Sequence, residues 1–196
     1  QNVPLWLGES GENSNKWFTD CINLMESNNI GWCWWPHKKI ENIAGPLSAP
    51  KTSVYQTLLN YWNNGGTKPS ESFAYNALME QADMLKLENC KFNADVVDAI
   101  FRQREENKTI PFDSNLIPGR IYFPNYDYGY FNIAYNDEVS ENLGNADYNN
   151  GFAYRNDGVD IETCSDAFSN GFDVGWITTG EWLKYTVIIS ESGIFK

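Results

Sequence analysis

"VPLWLGESGENSNKWF", residues 3–18, joins an apolar run to a glutamate and then to a helical pattern. "NIGWCWWPHKK", residues 29–39, follows with three Trp in four positions. Side chains alternate along a strand, so Val3, Leu5, Leu7 and Glu9 point one way and Pro4, Trp6 and Gly8 the other. In the second run Gly31, Cys33 and Trp35 share a side, and Trp32 and Trp34 share its opposite. Between the runs, "SNKWFTDCINLMESNN" places Trp17, Phe18, Cys21, Ile22, Leu24 and Met25 on one broad helical face, with Ser14 as its N-cap. Strand–helix–strand order predicts parallel strands joined by a crossover helix.

If Leu5 and Leu7 fill the interior of a barrel, Glu9 emerges at the C-terminal mouth, where parallel α/β barrels hold their reacting groups. Small residues inward and bulky ones against helices would leave Trp35 at the same mouth. A carboxylate beside an indole suits glycoside cleavage. The ring holds the apolar face of a pyranose while the carboxylate meets the anomeric carbon. The same residues allow a plainer reading, in which Glu9 is a solvated charge or helix cap and the Trp cluster is core. Glu12 competes with Glu9, which is preferred because it stands at the strand end.

Downstream, "TSVYQTLLNYW", "SESFAYNALMEQADMLKLEN" and "NADVVDAIFRQRE" read as helices, the last with an apolar stripe of Val96, Val97, Ile100 and Phe101. The character of the chain then shifts. Residues 1–115 carry a net charge of −4 and residues 116–196 one of −8, and eight of the eleven Tyr lie in that second part. The polar "NKTIPFDSNLIPG" marks the boundary, giving one domain over 1–109 and another over 110–196. The second domain has short runs between turn residues, the pattern of an all-β sandwich or jelly roll. Its last run puts Leu183, Tyr185, Val187 and Ile189 on one side and Trp182, Lys184 and Thr186 on the other.

A net charge of −12 over 196 residues argues against a nucleic-acid partner. No apolar run approaches the ~20 residues of a membrane span. Cys21, Cys33, Cys90 and Cys164 show no zinc spacing and read as small apolar residues. The chain starts at Gln1 and stops inside an apparent strand, so both ends read as cut from something longer.

"VPLWLGESGEN", its helix and "NIGWCWWPHKK" resemble the last two strand–helix units of a glycoside hydrolase family five barrel, the cellulase-type clan. The resemblance implies a (β/α)8 TIM barrel of which residues 1–109 are the C-terminal portion, trailing helices included. It implies Glu9 as the nucleophile of a retaining mechanism. Trp35, or failing it Trp34, would floor the subsite beside the cleaved bond, with His37, Lys38 and Lys39 near sugar hydroxyls. The acid/base of that family follows the fourth strand, which residues 1–196 do not include, so this chain is expected to be inactive alone.

"YRNDGVDIE" and "VGWITTGEWLKYTV" make residues 110–196 similar to the N-terminal part of a family six carbohydrate-binding module. Tyr154 then matches an aromatic platform, while Trp176 and Trp182 read as packing residues. That family opens with acids that help hold a structural calcium. Ile121-Tyr122-Phe123-Pro124 stands there instead, so no cofactor is expected and the calcium is doubtful. Asp160 and Glu162 could serve an ion but read as solvated acids, and "NADYNNG" (145–151) reads as a turn. Taken together, the chain is expected to be part of a polysaccharide-degrading enzyme. Its partner is a polysaccharide or oligosaccharide, met outside the cytoplasm as an extracellular, periplasmic or cell-surface protein. The alternative is a non-catalytic carbohydrate-binding protein.

Overall fold

Ser14 starts the first helix. Its hydroxyl accepts from the Trp17 amide at 3.3 Å, a cap worth about 1 kcal/mol, and α1 (Asn15–Ser27) follows. In the computed structural model, which describes residues 3–139 and 154–194, α1 crosses between β1 (Trp6–Leu7) and β2 (Gly31–Trp32), which pair in parallel. This is the strand–helix–strand unit that the pattern predicts. The helix face differs in detail. Asn15, Phe18, Thr19 and Ile22 are buried, whereas Trp17 and Leu24 are exposed.

The chain next forms β3 (Lys38–Ile40) and β4 (Leu47–Ala49), a parallel pair that β5 (Lys91–Phe92) extends in antiparallel sense. Between β4 and β5 lie α2 (Ser53–Asn64) and α3 (Glu71–Met84), capped by Thr52 and Ser70. Then comes α4 (Ala94–Phe101). It packs on α1, and Phe18, Ile22, Ala44, Val96 and Ile100 form the first apolar core, with Trp32 and Trp34 against it. The buried stripe of α4 is Val96, Ala99 and Ile100, and Phe101 points out at 60% exposure.

Beyond residue 110 the described strands are short. β6 (Asn115–Ile117) pairs in parallel with β11 (Val187–Ile189). β7 (Tyr135–Asn136) pairs with β10 (Trp182–Leu183), and β8 (Ile161–Thr163) with β9 (Phe172–Val174), both antiparallel. The expected single alternating run at 182–189 is therefore two strands with different partners. Leu183 and Tyr185 face a second core of Tyr126, Ala134, Tyr135, Val159 and Ile161.

The two cores meet across a polar seam. The Asn15 amide group donates to Asp95 at 2.8 Å and to Asp157 at 2.6 Å, and the Asn156 amide N–H donates to Asp95 at 2.8 Å. Beside them the Arg155 guanidinium pairs with Asp157 and lies 3.6 Å from the Tyr126 ring centroid. All these side chains are buried. Buried charge is tolerated only when paired and hydrogen-bonded, and here the pairing groups come from both parts of the chain. No described helix is long and apolar enough to cross a membrane.

Candidate functional site

The rim beyond β1 and β2 is built by backbone. Cys33 N–H donates to Leu7 O at 3.0 Å, and Trp35 N–H to Ser10 O at 2.6 Å. These bonds run residues 7–10 and 33–35 side by side past the two-residue ladder. Glu9 is exposed on this rim, and Trp35 is 49% exposed. Gly11 (φ 134°) closes the loop over Trp35, because a Cβ at Gly11 would collide with the Trp35 carbonyl oxygen. Its neighbour Glu12 also has positive φ (50°).

The ladder register corrects one expectation. Trp6 opposes Gly31 and Leu7 opposes Trp32, and the Trp6 ring occupies the space a Gly31 side chain would need. Trp6 and Gly31 therefore share one face, and Leu7 shares the other with Trp32. Alternation fixes facing within a strand, but only the register fixes it between strands. The ladder ends at Leu7 and Trp32, and Trp35 N–H bonds Ser10 O where that register would have it bond Glu9 O, so the pairing slips by one residue and the alternation does not extend to Glu9 and Trp35.

The two indoles divide their roles. Trp34 packs edge-on to Phe18 (4.9 Å between centroids) and to Trp32 (5.7 Å), so it belongs to the core. Trp35 lies at the rim with the Lys39 ammonium 5.1 Å from its ring centroid. Lys39 in turn is ion-paired with Glu12. Glu12 is thus linked through Lys39 to the Trp35 ring, while Glu9 stands free of that pair. His37 is exposed. Lys38 turns back to donate to the Leu85 carbonyl.

In the second part, Tyr154 is half-buried. Its hydroxyl donates to Asn125 at 2.7 Å, and its ring packs on Phe172 (4.7 Å) and Phe112 (5.7 Å). Lys91 from the first part reaches within 5.8 Å of the same ring. Burial raises the phenol above its usual range. Trp176 and Trp182, read from sequence as packing residues, are 47% and 40% exposed.

Trp182 lines an open cavity of about 250 Å³ with Phe123, Tyr185, Asp137 and Glu181. Burial and then the charge of Glu181 push the Asp137 carboxyl up to about 7. Glu181 moves the other way. Partial burial would raise it, but it accepts from the amides of Glu138 (3.0 Å) and Thr178 (2.7 Å) and from the Thr178 hydroxyl (3.1 Å), and these bonds hold it low. Near neutral pH the site therefore offers an ionised Glu181 beside an Asp137 that is about half protonated. Asp137 and Glu181 escaped the sequence reading, although Glu181 lies within the quoted "VGWITTGEWLKYTV".

Among the described residues no three His, Cys, Asp or Glu side chains gather as a metal site. Asp160 is buried rather than solvated, and Glu162 faces Asp173 across the β8–β9 ladder. The 145–151 turn lies outside the described residues. The four cysteines are half-buried free thiols. No protein family, curated protein or solved structure matches this chain.

Proposed function

We propose that the chain is the C-terminal part of a retaining β-glycoside hydrolase barrel, cellulase-like, joined to the N-terminal part of a carbohydrate-binding β-sandwich. Its substrate is a polysaccharide met outside the cytoplasm. One observation carries this reading. The Trp35–Ser10 backbone bond brings an exposed carboxylate, Glu9, and an exposed indole, Trp35, to one rim at the C-terminal ends of parallel strands.

In this mechanism the Glu9 carboxylate attacks the anomeric carbon as the glycosidic C–O bond breaks. An acid from outside residues 1–196 protonates the leaving oxygen. Water then attacks the glycosyl ester, giving its proton to that same residue, now a base, and Glu9 is released. Trp35 supports the sugar face. His37 and Lys38 supply polar contacts, the latter once freed from Leu85, and Tyr154 belongs to the binding module.

The test uses the intact parent enzyme and a panel of dinitrophenyl 2-deoxy-2-fluoro glycosides of gluco, manno and xylo configuration. Peptide mapping is expected to find the added sugar on Glu9. Glu9→Ala is expected to lose nearly all turnover and to retain polysaccharide pull-down. A label on Glu12 moves the role to that residue. Full turnover in the Glu9 variant overturns the reading. The cavity at Trp182 favours a second reading, a carbohydrate-binding protein without turnover, which would bind polysaccharide and take no label.

A further inference from the structure

Seven residues, 8–14, connect β1 to α1 and carry Glu9. Two of them, Gly11 and Glu12, hold left-handed backbone conformations. Such conformations persist where surrounding structure over-determines them. At its start this loop is tied to the β2 side by the bonds from Cys33 and Trp35. At its far end the partner comes from the second part of the chain. The Asn156 side-chain amide donates to the Asn13 carbonyl at 2.7 Å and to the Asn15 side-chain oxygen at 3.1 Å. The Asn156 carbonyl accepts from the Asn15 amide at 2.7 Å.

That last bond has a particular use. The first amides of a helix have no partner within it, and Asn15 is the first residue of α1. Ser14 caps the Trp17 amide from the same chain segment, whereas Asn156 caps Asn15 from 141 positions further on. Asn156 has no exposed surface, and its own amide is fixed on Asp95 of α4. Among the described residues its side-chain oxygen has no partner, and the amide donor is the half of the group that holds the loop.

We propose that Asn156 is a positioning residue, fixing from the second domain the loop that presents Glu9. The proposal rests on the reading of Glu9 as nucleophile, because a nucleophile must be held to within about 0.5 Å by its supporting shell. It makes the sandwich part of the reacting apparatus rather than a tethered accessory.

The experiment compares Asn156→Ala with Val159→Ala in the parent enzyme. Val159 is buried in the second core, and its apolar side chain makes none of the seam bonds. Deuterium exchange of the peptide covering residues 8–14 is measured alongside the rate of fluoroglycoside labelling. Two lost side-chain bonds are expected to speed exchange of that peptide about tenfold in N156A. The maximal labelling rate should fall with it while the concentration for half-maximal labelling stays put, because Trp35 is untouched. V159A should change neither. N156S, whose hydroxyl stops short of the Asn13 carbonyl, repeats the comparison should N156A be recovered unfolded. Unchanged exchange in a folded Asn156 variant, or equal loosening in V159A, overturns the proposal. Faster exchange in N156A with no label on wild-type Glu9 upholds the anchor and sinks the nucleophile reading instead.

Discussion

Asp137 and Glu181 line one cavity, yet their surroundings push the two carboxyls apart. Burial dominates at Asp137, and donated hydrogen bonds dominate at Glu181. The raised group has a consequence for stability. Folded Asp137 titrates at about 7 against an ordinary 3.8, so the folded state keeps its proton where the unfolded chain has lost it. Its contribution is whole below the unfolded value and is lost as pH rises through the folded one. Asp137→Asn removes this dependence and still leaves an oxygen for the Val139 amide. Thermal melts of both proteins across that window are expected to show wild type losing ground to D137N as pH rises. A constant difference would mean that Asp137 does not titrate high. Periodicity could not have found this residue, because its shift comes first from burial, which only the folded packing sets.

Elements were legible where local chemistry sufficed. Ser14 capped its helix as read, and the strand–helix–strand order gave parallel strands. α4 shows the limit. Val96, Val97, Ile100 and Phe101 form a stripe on paper, but α1 covers Val96, Ala99 and Ile100 and leaves Phe101 in solvent. Sequence gives the stripe's approximate direction, and the packing partner sets its centre. Ile100→Ala is therefore expected to cost about 2–5 kcal/mol, and Phe101→Ala within about 0.5 kcal/mol. Urea titrations of the two variants check this, and the reverse order would move the stripe. β3, β4 and β5 stayed invisible because two- and three-residue strands carry too little pattern to read. The facing of β1 against β2 depended on a register that no single strand encodes.

Across the whole molecule, two apolar cores are bound by Asn15, Asp95, Arg155, Asn156 and Asp157. The shift in composition near residue 110 was readable, but the seam was not. It joins residues 142 apart, through polar groups that in sequence look like solvated surface. Asn15 donates to a carboxylate of each part. Removing it takes the donor from the buried Asp157 Oδ1, at about 1–3 kcal/mol, while Asp95 keeps the Asn156 amide. Calorimetry is expected to show one transition in wild type and two in Asn15→Ala. A single unshifted transition in that variant would show that the two cores are coupled elsewhere.

The same seam sets an order of events during synthesis. Asn15 leaves the ribosome long before Asn156 and Asp157 exist, and translation covers the interval in roughly ten seconds. Throughout that time the start of α1 must keep water on an amide and a side chain that the finished protein dries out. The nascent first core can gather Phe18, Ile22 and Ile100 early, but the start of α1 is completed only when the last third of the chain arrives to displace that water.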